Sequence, residues 1–263
     1  MRQIAINLHA KRGMDTESYI KKMREVGFDA LLTGTPEPEE LKRIANALAA
    51  NGMRYEMIHA PFSHTNDIWQ TGECGDRALA ELITAVERAA TVGCPTVVVH
   101  LTSARALPQI TDLGRARHEI LVEYAARKNV KIAFENIRGL AHLAWAMEHF
   151  ENAPNVGFCW DFGHESCFAK GKEYMPLFGD RLICTHLHDN DGVARDDQHK
   201  LPFDGKLDFG RAAKQLRQSG YRGTLTLEVF AENTHAYDCV TCTAFLEKAA
   251  MAAKRLRLMV DGF

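Results

Sequence analysis

The sequence predicts a single-domain α/β fold, the (β/α)8 barrel, on three observations. Short apolar runs alternate with amphipathic segments of helical spacing. The pair recurs eight times, and each unit takes about 30 residues, the length of a βα repeat. The 263 residues suit one large barrel and contain no linker-like stretch, so 1–263 is read as one domain. A doubly wound open sheet would carry a glycine-rich first turn, and "NLHAKRG" is not one.

The strands predicted in chain order are "QIAINL" (3–8), "DALLTG" (29–34), "RYEMIH" (54–59), "TVVVH" (96–100), "KIAFE" (131–135), "VGFCWD" (156–161), "LICTHLH" (182–188) and "TLTLE" (224–228). Most are rich in β-branched or aromatic residues and nearly continuous in apolar character, as strands buried on both faces are. Between them, segments such as "TESYIKKMREVG" and "GDRALAELITAVERAATVG" place apolar residues at helical spacing and stop at glycine.

Composition narrows the class of function. Apolar residues make up 46% and charged residues 25%, the balance of an ordinary soluble globular protein. No run approaches the roughly 18 apolar residues of a membrane span, and the N-terminus lacks a secretory pattern, so a cytoplasmic location is expected. The net charge of −2 supplies no global attraction for nucleic acid. Seven cysteines form no regular framework, and the one CxxC, Cys239 to Cys242, reads as a helix start rather than a zinc site.

Active sites of such barrels are built from the C-terminal strand ends and the loops after them. Here the third to eighth strands end in His59, His100, Glu135, Asp161, His188 and Glu228. Six neighbouring metal-capable side chains would converge on one mouth. Unpaired carboxylates there would repel one another, and a bound cation is the natural compensation. Four consecutive strands thus offer Glu135, Asp161, His188 and Glu228 to one divalent ion; three oxygen donors and one nitrogen suit manganese, magnesium or cobalt and also accept zinc. His164, Asp197 and His199 sit over the same rim, whereas His186 is expected one layer deeper as a hydrogen-bonded core histidine.

The motifs "HAPF" (59–62), "VVVH" (97–100), "FEN" (134–136), "DFGH" (161–164), "HLHDND" (186–191), "DQHKLPFDGKLDF" (197–209) and "LEV" (227–229) together resemble the xylose isomerase-like barrels. That group includes ketohexose epimerases, hydroxypyruvate isomerase, inosose dehydratases and apurinic-site nucleases of the endonuclease IV type. The resemblance implies a single-ion site at Glu135, Asp161, His188 and Glu228 in the sugar enzymes. For the nucleases it implies a trinuclear zinc site that adds His59, His100, His164, Asp197 and His199, positions that some sugar enzymes use as substrate contacts.

Charge separates the two branches. Basic residues of the post-strand loops, among them Arg105, Arg138, Lys170 and Arg195, are matched by acids such as Asp67, Glu165, Asp189 and Asp191, whereas a nuclease needs an electropositive rim. The expected activity is therefore isomerisation or epimerisation of a ketose or related polyol, with Glu135 and Glu228 as the acid/base pair and an enediolate between them. An apurinic-site nuclease or a polyol dehydratase is the alternative. Phe62, Trp160 and Arg195 are expected to contact substrate, the partner is a small sugar rather than nucleic acid or membrane, and a homodimer is compatible with the fold.

Overall fold

The computed structural model describes residues 1–263 apart from 104–106, 170 and 263; the rim cations Arg105 and Lys170 lie outside the described residues. Eight parallel strands form one sheet in the order β7-β6-β5-β4-β3-β2-β1-β8. They are β1 (Ile4–Asn7), β2 (Ala30–Thr33), β3 (Arg54–His59), β4 (Thr96–His100), β5 (Lys131–Glu135), β6 (Val156–Asp161), β7 (Leu182–His186) and β8 (Leu225–Leu227). An isolated parallel bridge, Leu187 to Leu227, joins the two ends of that order and closes the barrel. The structure is therefore the (β/α)8 barrel predicted from the repeat. Several strands are shorter than their apolar runs: β7 stops at His186 rather than 188, and β8 spans 225–227 rather than 224–228.

The helices, among them α2 (Pro38–Ala50), α3 (Glu73–Thr91), α5 (Leu140–His149) and α7 (Met175–Phe178), follow from local chemistry. Helix α1 (Thr16–Val26) begins where the Asp15 side chain accepts from the Ser18 amide at 2.9 Å, and it ends on Gly27, whose φ of 104° is costly for any side chain. The α4 helix (Asp112–Arg127) is capped by Thr111. In the last helix, α9 (Cys242–Asp261), Thr241 is the cap and Cys242 the first residue; Cys239 and Cys242 are both free thiols. The CxxC is thus a helix start, as its sequence context implies.

Alternation along the strands builds the barrel interior in layers. One layer consists of Leu32, Met57, Val98, Ala133, Cys159 and Cys184, all buried and in mutual contact. Two residues further along β3 to β7 stand His59, His100, Glu135, Asp161 and His186. An apolar floor therefore lies directly beneath a layer of ionisable groups, withholding water from it and strengthening every charge interaction above.

At the opposite end of the barrel, the buried Arg2 fastens the seam between first and last strands. Its guanidinium pairs with Asp261 at the end of α9 and donates to the Tyr221 carbonyl from both Nε, at 3.1 Å, and Nη2, at 2.6 Å. Removing one partner of a buried pair leaves the other uncompensated. Arg2→Ala is expected to lower the free energy of urea unfolding by about 3 kcal/mol. The exposed Arg127→Ala should stay within about 0.5 kcal/mol of the parent.

Candidate metal centre

Glu135 is the hub of the mouth. Its side chain is fully buried, and its two oxygens touch four imidazoles: Oε2 lies 3.2 Å from His59 Nε2 and 3.0 Å from His100 Nε2, and Oε1 lies 3.2 Å from both His164 Nδ1 and His186 Nδ1. Burial opposes ionisation, but His186 and His100 hold the carboxyl well below the usual range. Conversely, burial works against charge on His186, while Glu228 and Glu135 push its pKa up to about 10. The proton on His186 helps to balance the carboxylates, and metal binding would displace it.

Around this hub the donor atoms fall into overlapping groups, each with members within 4.8 Å of one another. Glu135, Asp161, His186 and Glu228 form one, and His164, His188, Asp197 and His199 form another. His59 and His100 each join Glu135 in further groups, with His186 and with His164. The chemistry of the donors fits a divalent cation. Asp161 Oδ2 is buried without a hydrogen-bond partner, as are His186 Nε2 and His188 Nδ1. A buried carboxylate oxygen with no donor is costly unless something cationic faces it.

The structure changes one membership. His186, rather than His188, joins Glu135, Asp161 and Glu228, so His186 is not a core histidine one layer down. Register is the reason: Asp161 pairs with His186 across β6 and β7, and Cys159 pairs with Cys184 one step below, which puts His186 level with the acids. Past the strand end, His188 swings over α6 (Phe162–Phe168) and stacks on His199 with centroids 3.8 Å apart. It still lies 3.1 Å from Asp161 Oδ1. Gly163 makes room for it, since a Cβ there would fall 1.9 Å from His188 Cε1.

His164 arrives from the first turn of α6, whose cap is Asp161 itself, accepting from the His164 amide at 2.6 Å. Asp197 and His199 come from the long segment between β7 and α8 (Phe209–Gln218). Asp197 Oδ2 reaches His164 Nε2 at 3.2 Å and His199 Nε2 at 3.0 Å. Asp189 folds that segment back. Buried, it accepts from the amides of Asn190, Phe203, Gly205 and Leu207, and an antiparallel bridge between Asp189 and Lys200 delivers the neighbouring His199 to the mouth.

Two asparagines absent from the sequence reading hold the acids in place. Asn136 donates to the Asp161 carbonyl and accepts from the Asp161 amide, both at 2.8 Å. Asn7 makes the same reciprocal pair with Val229, at 2.9 and 2.8 Å, next to Glu228. Each amide extends the parallel ladder one step past the strand end. An asparagine directly after, or closing, a buried strand was the available signal.

Above the cluster opens a cavity of about 900 Å3, lined by Glu228, His59, His100, His164, Asp197 and His199, with Phe62, Phe168 and Phe230 among its walls. Glu135 lies beneath it. Phe62 is 54% exposed at the rim, as a substrate contact would be. Trp160 is not in the cavity: strand alternation turns it outward from Asp161, and its Nε1 donates to buried Glu165 at 3.1 Å. Arg195 is exposed on the β7–α8 segment in a left-handed conformation, φ 67°, and does not line the cavity either.

Since supporting groups of metal ligands are commonly worth 10- to 100-fold in affinity, Asn136→Ala should weaken manganese binding by roughly that factor in a competition titration with a chelator. The exposed Asn152→Ala should leave it unchanged. Equal affinity in the two variants would remove Asn136 from the site's support.

The family model described as xylose isomerase-like TIM barrel matches residues 20–259. An uncharacterized protein of Sinorhizobium fredii is 30% identical over 188 residues, 66% of this chain and 58% of its own length. The match thus spans less than two thirds of that relative. Another uncharacterized protein, from Methanocaldococcus jannaschii, is 26% identical over 80% of this chain and 78% of its own. Among solved structures, D-psicose 3-epimerase of Clostridium cellulolyticum superposes with a TM-score of 0.80 at 14% identity, covering 98% of this chain and 99% of that one. The 3-keto-D-glucoside 4-epimerase of E. coli gives 0.74 at 18% identity, covering 98% and 99%. At these identities the likeness is one of fold. On the match over most of its length, the chain belongs to the xylose isomerase-like TIM barrel family.

Proposed function

We propose that the protein is a divalent-metal-dependent isomerase or epimerase of a ketose or related polyol. The observation that carries this reading is the group Glu135, Asp161, His186 and Glu228 at the foot of an open cavity that Glu228 itself lines. Among the described residues no lysine or arginine lines that cavity, which favours an uncharged substrate over a phosphate backbone. Solved structures of similar fold include a psicose and a ribulose epimerase, and that likeness is in keeping with a sugar substrate.

A divalent cation held by those four residues would polarise the substrate carbonyl and stabilise enediolate charge. Manganese, magnesium, cobalt or zinc would each be accepted by this mix of carboxylates and imidazole. The protein's own groups do the rest. Glu228 meets the substrate and takes the proton alpha to the carbonyl. Glu135, whose donor atom lies within 4.8 Å of that of Glu228 in the same group, is the acid that returns a proton to the enediolate. The apolar floor keeps bulk water from the transferred proton.

One observation favours a second reading. The group of His164, His188, Asp197 and His199, beside the Glu135-centred groups, has donors enough for more than one ion, and multinuclear sites suit phosphodiester hydrolysis, including apurinic-site cleavage.

Three outcomes test the first reading. In a screen of ketoses and cyclic polyols in deuterium oxide, the product should carry deuterium at the carbon alpha to the carbonyl. Glu228→Gln should retain most bound metal yet turn over about 10²-fold more slowly. Exhaustive chelation should abolish turnover and manganese should restore it. Robust incision of abasic duplex, falling steeply with salt as phosphate contacts require, would instead establish the hydrolase.

A further inference from the structure

The ionisable groups are not spread evenly around the mouth. Strands β3 to β8 each supply one, at or just beyond the strand end, whereas β1 and β2 end in Asn7, Leu8, Thr33 and Gly34. All four of those residues line the same cavity, which therefore extends sideways from the cluster over an uncharged sector. The flanks of that sector are aromatic. Phe62, beyond β3, lies 5.0 Å from the His100 ring and 5.5 Å from His59, and Phe230, beyond β8, lies 5.0 Å from His199. Between the flanks the floor is open, since a Cβ added at Gly34 meets nothing within 4 Å.

Size points the same way. A single hexose fills about 200 Å3 at the packing density of a protein interior, and the cavity offers about 900 Å3. A monosaccharide chelated beside Glu228 would leave the β1–β2 sector to water. Resting on the sugar reading above, we propose that this sector is a second subsite for an uncharged sugar ring, so that the substrate is a ketose carrying a second sugar rather than a free monosaccharide. Phe62, Leu8 and Phe230 suit the apolar faces of such a ring, and the hydroxyl groups of Thr35 and Ser63 in the cavity lining suit its edge.

The test uses the full-length, manganese-loaded protein and calorimetric titration with lactulose, turanose, palatinose and maltulose against free D-fructose, D-tagatose and D-psicose. At least one disaccharide should bind roughly tenfold tighter than the free ketoses, the yield of burying one apolar ring face. Gly34→Phe, which fills the open floor, should abolish that gain with manganese still bound, and Phe62→Ser at the exposed rim should reduce it. If free ketoses bind and every disaccharide binds equally or more weakly, the second subsite is overturned and the sugar reading stands. If no sugar binds the manganese-loaded protein, both fall.

Discussion

The mouth of this barrel depends on one buried carboxylate. Glu135, without solvent exposure at its side chain, is surrounded by His59, His100, His164 and His186 at hydrogen-bonding distance. A lone carboxylate over an apolar floor would carry a desolvation penalty of several kcal/mol. Four imidazoles from three strands and a helix offset it, and three of them, His59, His164 and His186, are tied in turn to another acid or carbonyl. The geometry of Asp161, Asp197 and Glu228 follows from that hub, because His164 links Glu135 to Asp197 and His186 links it to Glu228. Such a network is favourable only when complete, and the unpartnered Asp161 Oδ2 marks where a cation would complete it.

The scaffold delivers these groups by simple means. Parallel pairing fixes the level of each strand end, the two-residue alternation separates the floor from the ionisable layer, and Asn7 and Asn136 carry the ladder one step beyond the regular strands. The loop residues of the mouth need more construction. Asp189 gathers four amides to turn the β7–α8 segment back on itself, and Gly163 leaves space for His188. Rigid strand ends thus hold Glu135, Asp161 and His186, while a pinned loop presents Asp197 and His199 to whatever occupies the cavity.

Much of this was legible in the sequence because the barrel repeats. Eight apolar runs with amphipathic segments between them specify the fold, and His59, His100, Glu135 and Asp161 are the last residues of their strands, at the position where such barrels keep their chemistry. The choice between His186 and His188 was not legible. The two have the same parity, and only the cross-strand register, Asp161 with His186, decides which stands level with the acids. Trp160 illustrates the same limit in reverse: its neighbour Asp161 points inward, so alternation sends the indole to the outer side, against Glu165. Arg195 lies in a loop whose path is set by contacts of Asp189 that have no periodic signature.

The central claim is that Glu135, Asp161, His186 and Glu228 close around one divalent cation. Crystals grown with manganese, measured on both sides of its absorption edge, address it most directly. The account predicts an anomalous peak within about 2.5 Å of a donor atom from each of the four residues, the ordinary span of such bonds. A peak bound by His188 with His186 turned away, or no peak in that group at saturating manganese, would contradict it.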